Sequence, residues 1–337
     1  MDAKTIELLK FIYNSFDTNK VKIKILKIEH QEFKDIITIN MLEQIKSINK
    51  IKSIVNLIKS VLNTSISYYF NYNFLFLEII KANNKTYNFN SYISVSNHRN
   101  KGEIFFGIDG AGQSIFKKID SVKSLLISGS SGSGKSNLLH QLILSYLILN
   151  DNGYLMLIDP KHTELNWYTK AKLKNRLIMS VASEFDEALK VLNAFNNLIT
   201  SRYKAMEKRG ERFSNDSPIL LVIDEYASLF TDSKTKKKVN SLISRIASLG
   251  RAARCYLIIS TQHPTNENLT NTIRVNLQSK LALHCESAHQ SINIINSSDA
   301  INIKGKGEFL LKVDGESLTF GKSTLITDEL LTKYLKA

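Results

Sequence analysis

A chain of 337 residues is long enough for about two domains of ordinary size. With 43% hydrophobic and 23% charged residues it is neither a disordered nor a fibrous chain. The formal charge of +14, from 45 Lys and Arg against 31 Asp and Glu, suits a polyanionic partner, nucleic acid first and anionic lipid second. Richness in Lys, Asn and Ile accounts for part of that excess, so the charge supports a reading without carrying one.

The start of the chain, Met1-Asp2-Ala3-Lys4 with Glu7 inside its first apolar stretch, lacks the basic-then-apolar layout of a secretory signal. The most apolar run, residues 138–149, contains His140 and Gln141 and is shorter than the roughly 20 apolar residues a spanning helix needs. Cys255 and Cys285 lie in apolar runs and make no disulfide framework, so a reducing cytoplasm is expected, with any membrane reached through partners.

No glycine precedes Gly102, and Pro160, Pro218 and Pro264 all lie beyond it, which puts a domain boundary near residue 100. Before it, Ile6, Leu9, Ile12, Tyr13 and Phe16 recur at helical spacing, and residues 21–28 alternate as a half-buried strand does. Residues 36–39 and 74–80 add strands around a helical stretch at 45–62. Residues 1–100 therefore read as a small α+β domain.

Beyond the boundary the pattern becomes strand, loop, helix, with short apolar strands predicted at 125–127, 154–158, 219–223, 255–260 and 280–283. Helices between them imply parallel crossovers and an α/β domain over 101–326. One helix is well marked: Ser183 as cap, Phe185, Leu189, Leu192 and Phe195 as apolar stripe, and Gly210 at its end. Its late cations, Arg202, Lys204, Lys208 and Arg209, suit the helix dipole or contact DNA. Residues 327–337 read as a short helical tail at the surface.

Gly129-Ser130-Ser131-Gly132-Ser133-Gly134-Lys135-Ser136 matches the phosphate-binding loop in full, between a predicted strand and a predicted helix. Glycines let successive backbone N–H groups turn toward a triphosphate, and the helix that begins near Ser136 and Asn137 adds its positive end. Lys135 would neutralise the β- and γ-phosphates, and Ser136 would hold Mg²⁺.

The apolar run Leu220-Leu221-Val222-Ile223 ends in Asp224-Glu225, the Walker B arrangement. Asp224 would position Mg²⁺ and Glu225 would orient the attacking water, since phosphoryl transfer depends on positioning and charge. The strand at 255–260 ends in Thr261, Gln262 and His263, with Gln262 the better candidate for a γ-phosphate sensor. Asp159-Pro160-Lys161 ends a further strand at the same edge.

Taken in order from Gly107 to Leu311, these residues resemble the FtsK/SpoIIIE branch of the FtsK–HerA superfamily. Its Asp-Pro-Lys motif is similar to Asp159-Pro160-Lys161, and its Walker B to Asp224-Glu225-Tyr226-Ala227. Its Arg-Ala-Ala, Thr-Gln, Ile-Arg-x-Asn and Gly-x-Gly signatures resemble Arg251-Ala252-Ala253, Thr261-Gln262, Ile273-Arg274-Val275-Asn276 and Gly305-Lys306-Gly307-Glu308. Arg254, His263, Leu277 and Glu308 depart from the family pattern and suggest a divergent member.

The resemblance implies a RecA-like P-loop NTPase core with a mainly parallel sheet, ATP as nucleotide, and a hexameric ring around duplex DNA. It implies a cation donated by the neighbouring copy, for which Arg251 and Arg274 are the candidates; ion pairs within one subunit are the alternative. Lys236, Lys237 and Lys238, with Lys234, fall where the resemblance puts a loop facing the ring channel, though such a run also serves as a solvated face. A compact motor of a plasmid, phage or integrative element is expected, recruited by a relaxase or membrane transfer protein. A protein-secretion ATPase of the type VII kind and a nucleotide-dependent scaffold are the competing readings.

Overall fold

A computed structural model describes residues 3–31, 34–42, 48–62, 66–80, 86–93, 101–169, 175–230, 232–262, 264–265 and 268–336. The first unit comprises α1 (Ala3–Thr18), β1 (Ile23–His30), β2 (Lys34–Met41), α2 (Ile48–Leu62), β3 (Ile66–Asn71) and β4 (Phe74–Ile80). Its strands form an antiparallel sheet of order β1-β2-β4-β3. Ile12 and Phe16 of α1 and Ile51, Val55 and Ile58 of α2 share a core with Ile37, Ile39, Leu75 and Leu77 of the sheet. The predicted α+β character is met, and β3 is an additional strand that its mixed Ser, Tyr and Asn content had hidden.

The second unit is built on a nine-stranded sheet. Its elements are β5 (Glu103–Asp109), β6 (Ser114–Lys118), β7 (Ser124–Ser128), α3 (Lys135–Leu149), β8 (Tyr154–Ile158), α4 (Phe185–Arg209), β9 (Ile219–Ile223) and α5 (Ser233–Leu249). They continue with β10 (Cys255–Thr261), α6 (Asn271–Asn276), β11 (Ser279–Ala282), α7 (Ala288–Ile295), β12 (Glu308–Lys312), β13 (Thr319–Lys322) and α8 (Asp328–Lys336). The strand order is β6-β5-β13-β12-β11-β7-β10-β9-β8. Strands β11, β7, β10, β9 and β8 run parallel, whereas β12, β13, β5 and β6 extend the sheet antiparallel. This is the RecA-like, mainly parallel α/β arrangement.

The parallel strands are continuous apolar runs because both faces are covered. Every residue of β7, β9 and β10 is buried. Helix α3 is buried on all sides from Leu138 to Leu147, which a helix tolerates only at the centre of a core. Its far end is pinned where the Tyr146 hydroxyl donates to the carbonyl of Pro218 at 2.8 Å.

Three boundaries differ from the sequence reading. Helix α4 is capped at Glu184 rather than Ser183, because the Glu187 carboxylate turns back to accept from both the Ser183 and Glu184 N–H groups. Tyr87, Phe89 and Ile93 pack into the large core, not the small one, so the join between units lies ahead of residue 86 rather than at 100. Residues 94–100, which lead up to the boundary expected near residue 100, lie outside the described residues. The terminal helix α8 is not a free surface tail: Leu331 and Leu335 are buried, and the Tyr334 ring meets Phe89 edge-on with centroids 6.0 Å apart.

The two units meet through polar contacts, with Lys59 of α2 bonded to Asp299 at 2.7 Å. Phe89→Ala should remove about 3–5 kcal/mol from the large unit by opening a cavity between β5 and α8. Urea unfolding followed separately in the two units tests this; an unchanged transition of the large unit would return residues 86–93 to the small one.

Candidate functional site

The predicted phosphate loop lies where it should, between β7 and α3. Gly132 and Gly134 adopt φ of 74° and 101°, left-handed values that a side chain would strain. A Cβ on Gly134 would also lie 2.9 Å from the backbone nitrogen of Gly307. The loop is closed by Ser130, whose N–H donates to the carbonyl of His284 at 2.9 Å, and by Gly307, whose N–H donates to that of Ser133 at 2.8 Å. The Ser133 hydroxyl is buried with no hydrogen-bond partner among the described residues, an orientation that suits an incoming phosphate oxygen.

Lys135 is buried at the mouth of this loop, and its ammonium donates to Ser260 Oγ at 3.0 Å. The same group lies 3.6 Å from Glu225 Oε2 and 3.8 Å from Asp224 Oδ1. Strand order explains the meeting: β10 lies between β7 and β9, so the carboxyl ends of all three open on one edge.

Asp224 and Glu225 divide their work by conformation. The Asp224 N–H continues the strand ladder onto the Ile158 carbonyl at 2.9 Å. Glu225 then turns to φ 55°, a left-handed value uncommon for a non-glycine residue and one that costs about 1–3 kcal/mol. The turn carries its carboxylate onto β10, where Oε1 accepts from the Thr261 hydroxyl at 2.9 Å and from the Gln262 N–H at 3.2 Å. Oε2 accepts from Lys161 Nζ at 3.2 Å.

These surroundings move the two carboxyls apart. Burial raises the Asp224 pKa, only partly countered by Lys135, while Asp159, Glu164 and Glu225 push the same way. Burial is also the largest influence on Glu225, but Lys135, the Gln262 N–H, the Thr261 hydroxyl and Lys161 together outweigh it and hold the carboxyl below its ordinary value. Adjacent acids thus have opposite tendencies.

Asp159 is fully buried and holds its own loop: Oδ1 accepts from the Lys161 N–H and Oδ2 from the N–H groups of Glu164 and Leu165. That frame delivers Lys161 to Glu225, and it delivers Glu164 to His140 Nε2 at 3.2 Å. The His140 bond is the leading influence holding the Glu164 carboxyl below its ordinary value, with Ser136 also donating to it.

Other predicted residues fall elsewhere. Gln262 reaches the site through its backbone N–H. His263 lies outside the described residues. Arg251 and Arg274 precede β10 and β11, at the amino-terminal edge of the parallel strands and away from the phosphate loop of the same chain. Arg251 is exposed with its guanidinium 6.0 Å from the Phe213 ring centre, whereas Arg274 is buried and donates to Asn271 Oδ1 at 2.7 Å. Lys234, Lys236, Lys237 and Lys238 belong to the first turns of α5 rather than to a loop, because the Asp232 carboxylate accepts from the Lys234 and Thr235 N–H groups and starts the helix there. Arg202 is structural: it is buried and donates to the carbonyls of Ala253 and Ser217, each at 2.7 Å.

Sequence reasoning missed Ser260 and Glu164, and it did not assign Thr261 or Lys161 to Glu225. A usable sign existed for Ser260 and Thr261, since two hydroxyls ending an otherwise apolar strand need a partner. Glu164 and Lys161 depended on a loop folding around Asp159.

Comparison with known proteins agrees with this geometry. Residues 91–217 match the FtsK/SpoIIIE family model. The chain is 31% identical over 241 residues to DNA translocase FtsK of Staphylococcus epidermidis, an alignment covering 65% of this chain and 30% of that one. It is 31% identical over 227 residues to DNA translocase FtsK of Clostridium tetani, covering 63% and 30%. The chain thus spans about 30% of the length of these relatives. Among solved structures, the monomeric pCW3 conjugation coupling protein TcpA with ATPγS superposes with a TM-score of 0.66 at 20% identity, covering 98% of this chain and 99% of that one. The cytoplasmic domain of the Thermomonospora curvata type VII secretion ATPase EccC gives 0.57 at 18% identity, over 76% and 33%. At these identities the two structures speak for the fold alone. Residues 91–217 thus match an FtsK/SpoIIIE-family domain, on a sheet whose parallel strands β7 and β9 lead into Lys135 and into Asp224 and Glu225.

Proposed function

We propose that the chain is an ATP-hydrolysing motor that moves double-stranded DNA, working as a ring of identical copies in transfer, mobilisation or segregation of a plasmid or integrative element. The observation that carries the reading is the meeting of Lys135, Asp224 and Glu225 at the phosphate loop. The relatives named as DNA translocases support the choice of DNA over protein as cargo.

In this reading the backbone from Gly129 to Asn137 receives the triphosphate, and Lys135 exchanges its carboxylate neighbours for the β- and γ-phosphates. Ser136 and Asp224 fit Mg²⁺, because they offer hard oxygen donors and burial leaves the Asp224 anion in want of positive charge. Held by Ser136 and Asp224, Mg²⁺ would supply positive charge that offsets the negative charge of the phosphates. Glu225 orients and polarises the attacking water, Thr261 and the Gln262 N–H fix its carboxylate, and Lys161 sets its basicity. The Gln262 side chain reports on the γ-phosphate. Arg251 and Arg274 serve the site of the neighbouring copy.

The lysines of α5 support DNA as the polyanion. Lys234 and Lys236, in the first turn of α5, oppose its dipole at a cost of about 0.3–1 kcal/mol each, so they do not serve the helix. Their contact with phosphates would be indifferent to sequence.

Turnover should rise with long duplex DNA, and DNA affinity should fall with salt at a log–log slope of about −0.9 per neutralised phosphate. Lys135→Ala should abolish both basal and stimulated turnover. Turnover indifferent to DNA would redirect the reading to a protein substrate, and no turnover with Mg²⁺ and ATP would leave a scaffold.

Lys161→Met removes one of the groups that hold the Glu225 carboxyl low, so its pKa rises. The acid limb of the kcat–pH profile should therefore move to higher pH, and an unmoved limb would disconnect Lys161 from Glu225. Replacing Lys236, Lys237 and Lys238 with Glu should weaken DNA binding and flatten its salt slope; an unchanged slope would make them a solvated face.

A further inference from the structure

One turn after Ser136, helix α3 buries a histidine that the phosphate loop itself does not use. His140 is withdrawn from water together with Tyr168, which lies in the short helical segment Leu165–Thr169. The two rings stack with centroids 5.7 Å apart, and His140 Nδ1 lies 3.0 Å from the Tyr168 hydroxyl. The other ring nitrogen, Nε2, meets Glu164 Oε2 at 3.2 Å. Ser136, four residues before His140 and so on the same face of α3, donates to the same carboxylate.

The chemistry of the groups fixes the direction of these bonds. A carboxylate only accepts, so Nε2 carries the hydrogen in its bond to Glu164. Nδ1 of the neutral ring then accepts from Tyr168, whose hydroxyl burial keeps protonated. Ser136 has one hydroxyl hydrogen to give, and giving it to Glu164 leaves the lone pairs of its oxygen directed elsewhere. Donation therefore runs from Tyr168 to His140 to Glu164 on one side, and from Ser136 to Glu164 on the other.

Packing alone does not ask for such an arrangement. The neighbours of His140 along α3, Leu138, Leu139, Leu142 and Ile143, are apolar and buried, and an imidazole and a phenol among them are costly unless their polar atoms are bonded. They are bonded here because Glu164 stands at the end to accept. Asp159 anchors Glu164 from behind by accepting from the N–H groups of Glu164 and Leu165 at 3.0 and 2.8 Å. The carboxylate is thus held at its backbone and at its tip, beside the phosphate loop, where its charge is felt at Lys135 and Asp224.

We infer that Glu164 is a positioning residue for the metal site: held by His140 and Tyr168, it takes the hydroxyl hydrogen of Ser136 and so presents the serine oxygen to Mg²⁺. The inference rests on the reading of Ser136 and Asp224 as the groups that hold the metal, and adds the side chains that orient the serine. Partners of this kind fix the direction of a ligand atom and raise its donor strength, and their loss costs about 10–100-fold in metal affinity or activity.

The test measures ATPγS affinity by calorimetry on the full chain, once with Mg²⁺ and once with EDTA, and takes the ratio of the two. In Glu164→Ala that ratio should fall about tenfold or more, with affinity in EDTA within about twofold of the unaltered chain. Glu164→Gln keeps an acceptor for Ser136 and should hold the ratio near its original value. Tyr168→Phe deletes one hydroxyl and keeps the ring, and should lower the ratio by a smaller factor than Glu164→Ala does. An unchanged ratio in Glu164→Ala would overturn the inference, as would equal losses with Mg²⁺ and with EDTA, the mark of a disturbed loop. A fall in Glu164→Gln as large as in Glu164→Ala would overturn positioning in favour of direct attraction between carboxylate and cation. An unchanged ratio in Tyr168→Phe would overturn the part given to His140 and Tyr168. If the unaltered chain bound ATPγS no better with Mg²⁺ than with EDTA, the metal reading beneath the inference would fall instead.

Discussion

A buried ammonium group organises the site. Lys135 is almost wholly withdrawn from water, and a cation in that position persists only where opposite charge and hydrogen bonds replace the lost hydration. Here Ser260, Asp224 and Glu225 supply them, from the end of β10, beside the strand that carries the loop, and from the end of β9 beyond it. The carboxylates assigned to metal and water thus also hold the lysine in place. In the proposed function, a triphosphate would exchange partners with Lys135 rather than enter a neutral pocket, and the acids would be freed by the same event that engages the lysine.

That economy is possible because of strand order. The apolar runs at β7, β8, β9 and β10 are legible in the sequence, as are the phosphate loop and Asp224-Glu225, because each is a local pattern with its own physical cause. The partners of Glu225 are not legible, because β10 follows β9 in the chain yet sits between β7 and β9 in the sheet. Thr261 meets Glu225 only through that crossover, and Lys161 only through the loop that Asp159 folds. Among the antiparallel strands β5, β6, β12 and β13, the pairing of β13 with β5 joins segments more than 200 residues apart, which no local pattern shows.

The boundary between units shows the limit of composition as a guide. Glycine and proline mark where the phosphate-binding fold needs turns, and their first appearance at Gly102 reports that need rather than the extent of a core. Tyr87 and Phe89 belong to the larger core because Tyr334, Phe105 and Leu325 provide their surroundings, and none of these is near in sequence. Aromatic residues just outside a predicted domain edge are better assigned by asking what could bury them than by where punctuation begins.

The basic residues, finally, do not form one class. Arg202 satisfies carbonyls that no backbone group reaches, and a lysine there would lose the paired geometry. Among the α5 lysines, Lys234 and Lys236 oppose the dipole of their own helix, and Lys236 lies 5.4 Å from the centre of the Phe230 ring. Arg251 and Arg274 sit ahead of the amino-terminal ends of β10 and β11, whereas Lys135 and Glu225 follow the carboxyl-terminal ends of the neighbouring parallel strands β7 and β9, a separation of roughly 17 Å for a strand of ordinary length. No arginine side chain spans that distance within one subunit. Either residue could serve a triphosphate only across a head-to-tail contact, in which the amino-terminal edge of one copy faces the carboxyl-terminal edge of the next, a contact that closes into a ring where the rotation between copies closes. The position of these arginines therefore ties any catalytic role they have to assembly, while the exposure of Arg251 against the burial of Arg274 makes Arg251 the one free to reach across it.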